Sequence, residues 1–219
     1  MHQLVDLFHK IYNVQGLVQV GGLALITAII FAETGLFVGF FLPGDSLLVT
    51  AGIFCTAANP TGHALLNIVT LNLAVSAAAI IGDTVGYWIG AKAGPRLFTR
   101  EKSFFFSRRH LMRTKEFYER HGGKTIIIAR FVPIIRTFAP AVAGVGAMSY
   151  RRFISFNVFG GIAWSLSMTL LGFSLATIYP QITKRIDMVI IVIIAISVMP
   201  IVISYLNNRR KNVPPAVAA

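Results

Sequence analysis

Five ionisable side chains lie within segments of this chain that are otherwise strongly apolar: Glu33, Asp45, Asp83, Arg130 and Arg136. A charge at the centre of a membrane helix costs about 2.5–3.5 kcal/mol on insertion scales, so such residues must be paired, hydrated or neutral. Arginine carries a permanently charged planar fork that fits phosphate. Burial and a neighbouring arginine act in opposite directions on the pKa of a carboxyl group, which lets it take up and release a proton. The five residues therefore predict a polar site for an anion and for protons.

A purely structural interpretation remains open, in which the charges form an ion-pair network that only fixes the fold. For Asp83, this structural interpretation is as strong as a role in transport. It would then pair with Arg130 or Arg136, or bond to unwound backbone. Asn157 and Trp164 lie in the next apolar segment, where we expect Trp164 to contribute packing.

The composition places the chain in a membrane. Of its 219 residues 55% are hydrophobic, and the mean hydropathy is +0.71. The formal charge of +12 comes from basic residues between apolar runs, which favours anionic lipid headgroups as partners and argues against nucleic acid. The single cysteine, Cys55, excludes an internal disulfide, and the histidines show no metal-ligand spacing. No phosphate-loop, hydrolase or dinucleotide motif is present, so we expect neither an enzyme nor a cofactor.

The hydropathy pattern predicts an all-α integral membrane protein with one membrane domain over residues 1–206. Apolar runs are typical of about four transmembrane helices and two re-entrant hairpins. The predicted spans are residues 16–32, 66–90, 153–177 and 187–206, the hairpins are 33–56 and 124–148, a basic cytoplasmic loop is 91–123, and a disordered cytoplasmic tail is 207–219.

Proline marks the middle of each predicted hairpin. Each of the segments 33–56 and 124–148 has about 24 residues, so two arms of about 18 Å would each reach halfway through a bilayer core of about 30 Å. Pro43 and Pro133 lie where the turn is needed, because proline breaks a helix. A straight span is the alternative interpretation of each segment.

The distribution of basic residues selects between these alternatives. If both termini are cytoplasmic and the segments 33–56 and 124–148 are re-entrant, 16 Lys and Arg side chains lie on the cytoplasmic side and two lie on the outer side. This is the asymmetry that the positive-inside rule requires. The two hairpins then enter from opposite faces, as in an inverted repeat whose broken helices build a site near the midplane.

The basic stretch 107–121 has a further predicted role. Its apolar residues Leu111 and Tyr118 are seven positions apart and surrounded by basic side chains. This spacing is typical of an interfacial helix on the anionic cytoplasmic leaflet, although a solvated charged face would look similar.

Two stretches resemble a known family. Glu33 is followed by LPGD at 42–45, and RFVPIIR at 130–136 is followed by Asn157 and Trp164. In these residues the chain resembles the DedA family of bacterial inner-membrane proteins, especially enterobacterial members linked to envelope integrity and alkaline tolerance. The likeness covers roughly residues 30 to 165.

The resemblance implies translocation of undecaprenyl phosphate, a polyprenyl phosphate carrier lipid, across the inner membrane with dependence on the proton motive force. It implies phosphate binding by Arg130 and Arg136 and proton coupling by Glu33 and Asp45. Many relatives have Glu where this chain has Asp45, so the coupling role is less secure at that position. The residues expected to support the site are Asp83, Pro43, Pro133, Asn157 and Trp164.

Three other functions compete with this interpretation. A proton-coupled antiporter for cations or drugs would use the carboxylates for cargo and the arginines for structure. A membrane scaffold for envelope enzymes would tolerate a neutral isostere such as Glu33→Gln. A membrane phosphatase is the weakest alternative, because no catalytic His/Arg/Asp motif accompanies Ser46. The sequence does not predict the oligomeric state.

Overall fold

The computed structural model describes residues 14–36, 44–58, 61–97 and 124–181. Within these ranges the chain is helical and has no β-strand, which confirms the predicted all-α class for this part. The helices are α1 (Val14–Gly35), α2 (Gly44–Phe54), α3 (Ile68–Leu97), α4 (Lys124–Ala129), α5 (Pro133–Val145) and α6 (Tyr150–Ile178).

Two of the described helices are long and apolar enough to cross a bilayer. They are Ile68–Ala93 within α3, with 26 residues, and Tyr150–Ile178, with 29 residues. At 1.5 Å per residue they measure about 39 and 44 Å, against a hydrocarbon core of about 30 Å. The long apolar helices predicted over 66–90 and 153–177 are therefore present. The span 187–206, the tail 207–219 and the interfacial helix at 107–121 lie outside the described residues.

Two other helices are at most half as long. α2 has 11 residues and α5 has 13, so they measure about 16 and 20 Å. Pro133 stands at the start of α5, and residues 130–132 between α4 and α5 are not helical. The break predicted at Pro133 is therefore present. Pro43 lies outside the described residues, and α2 begins at the next residue.

The first helix differs from the straight span predicted over residues 16–32. Gly22 has φ +52° and ψ −149°, which interrupts the helical conformation inside α1. Only glycine adopts such a conformation without strain. The apolar helix after this point, Gly21–Gly35, is shorter than a membrane span and includes Glu33 in its last turn. Glu33 thus lies in the last turn of a helix that starts near Gly22, whereas the sequence placed the boundary between the first span and the next segment at Glu33.

The two long helices run antiparallel and are joined by buried polar contacts. Thr169 donates a hydrogen bond to Asn72 over 2.8 Å, and the hydroxyls of Ser76 and Ser165 lie 2.6 Å apart. The residue numbers rise along α3 as they fall along α6, which sets the antiparallel direction. Hydrogen bonds of this kind hold helices together where the hydrophobic effect cannot.

Each half-length helix packs closely against one long helix. A Cβ on Gly52 of α2 would collide with the carbonyl oxygen of Thr169 in α6, and one on Gly172 would collide with that of Val49. α5 meets α3 in the same way, through Gly144 and Gly90. Thus α2 crosses α6, and α5 crosses α3.

Apolar side chains fill the space between these crossings. One buried cluster joins α1, α2, α3 and α6, with Ile26, Leu47, Leu71 and Trp164 among its members. A smaller cluster stacks Tyr87 on Phe153 and packs beside α4 and α5. The first cluster fixes the three helices that carry the acidic residues.

Substitution at one of these crossings should destabilise the protein. In Gly172→Ala the new methyl group must push the α2 backbone away, and overpacking of this kind costs about 1–3 kcal/mol. We expect a lower melting temperature for the purified protein in detergent.

Gly86→Ala is the matched control for this substitution. The nearest atom to a Cβ there is on Pro140 at 3.5 Å, an ordinary contact, and alanine is the better helix former by about 1 kcal/mol. We expect an unchanged or raised melting temperature. Equal melting temperatures for the two variants would contradict the close crossing.

Candidate functional site

The guanidinium group of Arg136 joins two carboxylates that come from different helices. From α5, its Nη2 donates to Oε1 of Glu33 at the end of α1, and its Nη1 donates to Oδ1 of Asp45 in the first turn of α2. The side chains of Arg136 and Glu33 are only 8% and 1% exposed, and that of Asp45 is 13% exposed. The structure thus brings together three of the predicted site residues.

Trp164 completes this Arg136 cluster from α6. Its indole Nε1–H donates to Oδ1 of Asp45 over 3.0 Å. Its ring also lies beneath the guanidinium group of Arg136, with 4.9 Å from the guanidinium carbon to the ring centroid, a distance typical of a cation–π contact. Trp164 thus packs in the buried apolar cluster, as expected, and in addition contacts two of the charged residues.

The spacing within α6 is the sequence signal for the polar contact of Trp164. Asn157 and Trp164 are seven residues apart, so they lie on one face of the helix, two turns from each other. Because Asn157 is a polar residue on that face, the indole N–H was also in a position to meet a polar group.

Arg130 forms a second cluster where α4 ends. Its Nη2 donates to Oδ2 of Asp83 in α3 and to Oδ1 of Asn157 in α6. The Asn157 amide donates in turn to the carbonyl of Ile80 over 3.0 Å. The prediction that Asp83 pairs with one of the two arginines is confirmed, and Arg130 is that partner.

Glycines in α6 make room for Arg130. A Cβ on Gly160 would lie 3.1 Å from Cδ of Arg130, and one on Gly161 would lie 3.3 Å from its Nη1. The same two positions lie close to Ile127 of α4 and Ile80 of α3. The two glycines let the guanidinium group reach between α3 and α6.

The two clusters are neighbours at the crossing of α1 and α3. Thr34 and Gly35, which follow Glu33, lie against Gly82, which precedes Asp83. A Cβ on Gly82 would collide with Oγ1 of Thr34. One close helix contact therefore sets the positions of both acids.

The charges of the two clusters do not balance. Three carboxylates face two guanidinium groups, so the fully ionised site has a net charge of −1. Among the described residues, no partner lies within hydrogen-bonding distance of Glu33 Oε2, Arg130 Nε or Arg136 Nε. One proton would neutralise the site, and the unused N–H groups could bind a further acceptor. Within the described ranges no group of His, Cys, Asp or Glu is arranged to hold a metal ion.

The chain matches known proteins over most of its length. The family model of the VTT domain matches residues 42–174, which include every residue of the two clusters except Glu33. The chain is 46% identical over 187 residues to Protein DedA of Escherichia coli K12, covering 85% of this chain and 83% of that protein. The chain belongs to the DedA family.

Other relatives of this DedA-family protein are also named as membrane proteins. The uncharacterized membrane protein Rv0364 of Mycobacterium tuberculosis is 38% identical over 191 residues, which cover 86% of this chain and 82% of that one. Inner membrane protein YqjA of E. coli K12 is 31% identical over 152 residues, or 69% and 66% of the two chains. No solved structure matches the chain. The protein is therefore a membrane protein, in agreement with its long apolar helices.

The Arg130 pair should be a stabilising unit. In Asp83→Ala the buried guanidinium group loses its carboxylate, and removing one partner of a buried ion pair costs about 3–5 kcal/mol. We expect a large drop in melting temperature in detergent. The double variant Asp83→Ala/Arg130→Ala should recover part of it, because no charge is then left unpaired. Additive losses in the double variant would contradict the pairing.

Proposed function

We propose that this DedA-family protein translocates a polyprenyl phosphate, chiefly undecaprenyl phosphate, across the inner membrane for envelope synthesis. The proton motive force drives this movement. The observation that carries the proposal is the Arg136 cluster, in which a buried guanidinium fork is occupied by two carboxylates. The lipid class rests on the family resemblance together with the suitability of that fork for phosphate.

The carboxylates of the cluster are competitors of the phosphate. A guanidinium group binds phosphate and carboxylate with the same two parallel N–H donors. While Glu33 and Asp45 hold these donors, a phosphate cannot use both of them. Protonation of a carboxyl group weakens its hydrogen bond to Arg136. It also removes the net negative charge that would repel a phosphate. Proton uptake and phosphate binding therefore favour each other.

This coupling fixes the direction of transport. The proton motive force brings protons in from the outer face, so the cluster is protonated and takes up lipid phosphate there. It releases both at the cytoplasmic face, where the spent carrier is needed again. The polyprenyl tail stays in the bilayer, and Arg130 is proposed as the second phosphate contact.

The helix lengths support a particular placement in the membrane. We propose that α3 and α6 span the bilayer and that α2 and α5 belong to the two re-entrant hairpins. Helices of about 16 and 20 Å are too short to cross a core of about 30 Å. The reciprocal packing of α2 on α6 and of α5 on α3 is what an inverted repeat would give. Both termini then lie in the cytoplasm, with the basic segment on the anionic leaflet.

A proton-coupled cation or drug antiporter is the second candidate. The observation in its favour is the excess of one carboxylate over the guanidinium groups, which could attract a cation. In that case the arginines would be structural, and the cargo would compete with protons.

Transport in proteoliposomes distinguishes the two candidates. The wild-type protein should move labelled undecaprenyl phosphate, and faster with a pH gradient than without one. In Arg136→Ala the phosphate loses charge-assisted hydrogen bonds worth about 1.5–3 kcal/mol, so we expect transport to fall about 10- to 100-fold. Arg152→Ala, which removes the same charge from an exposed position, should leave transport unchanged.

The same assay, run with and without polyprenyl phosphate in the liposomes, supplies the contrary tests. Lipid movement that is equally fast in the wild type and in Arg136→Ala would refute a phosphate role for this residue. Proton flux that depends on added cations, with no lipid movement by the folded wild type, would establish the antiporter instead.

A further inference from the structure

The two acids that share Arg136 have unequal surroundings. We infer that Glu33 carries the transported proton, whereas Asp45 stays ionised as the fixed counter-ion of Arg136. Gly44 and Trp164 are the positioning residues that create this difference. The inference rests on the proposed function, and it divides between two residues a role that the family resemblance gives to both.

Asp45 has the surroundings of a permanent anion. Its Oδ1 accepts hydrogen bonds both from Nη1 of Arg136 and from Nε1 of Trp164. It also lies in the first turn of α2, where the helix dipole favours negative charge. Hydrogen bonds that a carboxyl group accepts are stronger for its ionised form, so the two donors on Oδ1 favour the anion.

Glu33 has the surroundings of a group that holds a proton. Arg136 reaches only Oε1, and no described residue offers a donor to the buried Oε2. Its side chain is only 1% exposed, so this oxygen has no contact with bulk solvent. An ionised oxygen without a donor is much more costly to bury than a neutral hydroxyl group. Oε2 is therefore the oxygen of the cluster on which a proton relieves the largest cost.

Gly44 makes this position of Oε2 possible. The oxygen occupies the space in which any other residue at position 44 would place its Cβ. The proton-bearing atom thus lies at the contact between the end of α1 and the start of α2. Gaining or losing the proton changes this helix contact as well as the charge on the site.

The charged groups around Glu33 are consistent with a single exchangeable proton. Arg136 faces it from α5, Asp45 from α2 and Asp83 from α3, while Arg130 neutralises Asp83. Two carboxyl groups that share one guanidinium group disfavour ionisation of each other, so one of them takes the proton. The different partners of the two acids select Glu33.

Infrared difference spectroscopy can assign the proton without any transported lipid. The purified full-length protein in detergent is titrated with acid, and the carbonyl-stretch band of a protonated carboxyl group is followed. We expect a wild-type band that is lost in Glu33→Gln and retained in Asp45→Asn. Gly44→Ala should shift it, because the added methyl group displaces Oε2.

Isotope labelling tests the assignment without a substitution. In the wild type, ¹³C-labelled glutamate should move the band, and ¹³C-labelled aspartate should not. Trp164→Phe removes the indole donor and keeps an aromatic ring, so a second band that responds to labelled aspartate should appear. A wild-type band that moves with labelled aspartate, or that survives in Glu33→Gln, would overturn the inference.

Transport separates this inference from the proposed function. In proteoliposomes, Glu33→Gln should move undecaprenyl phosphate at a rate that no longer depends on pH, whereas the rate of Asp45→Asn should still depend on pH, because Glu33 is intact. A wild-type protein that moves no lipid but shows the glutamate band would refute the proposed cargo and support the proton assignment. If the transport rate depended on pH in Glu33→Gln but not in Asp45→Asn, the assignment of the proton to Glu33 would be refuted and the proposed cargo would stand.

Discussion

The buried fork of Arg136 is the interaction on which the rest of the structure depends. Its two carboxylate partners end α1 and begin α2, and Trp164 brings in α6, so four helices meet at one guanidinium group. In an apolar surrounding, a charge that loses its partner has no water to replace it. The fork therefore holds the end of α1 against the start of α2. It also joins the short helices α2 and α5, neither of which is long enough to cross a membrane.

The second arginine has a different kind of support. Arg130 is held by Asp83 and Asn157, and the amide of Asn157 is itself fixed by a backbone carbonyl of α3. The Arg136 cluster instead includes a carboxyl oxygen without a donor. The Arg130 cluster thus joins the two long helices, and the Arg136 cluster is the one for which we propose an exchange of ligands. The contact of Thr34 with Gly82 places the two clusters side by side.

Much of this architecture can be predicted from the sequence, because length and apolar composition determine α3 and α6, and proline determines the start of α5. The interruption at Gly22 could not be predicted, since glycine within an apolar run is compatible with a continuous helix. The five charged residues were identified by their cost in an apolar segment. Their pairing depends on helix packing, which one sequence does not specify. The hydrogen bond from the Trp164 indole to Asp45 depends on the same packing.

Proton movement that accompanies lipid movement is the most direct test of a coupled site. Proteoliposomes that contain a pH-sensitive dye can be loaded with undecaprenyl phosphate in one leaflet only, with no imposed pH gradient. If phosphate and protons share the Arg136 cluster, redistribution of the lipid should carry protons in the same direction and change the internal pH. Lipid redistribution at the same rate with no change in internal pH would contradict the shared site.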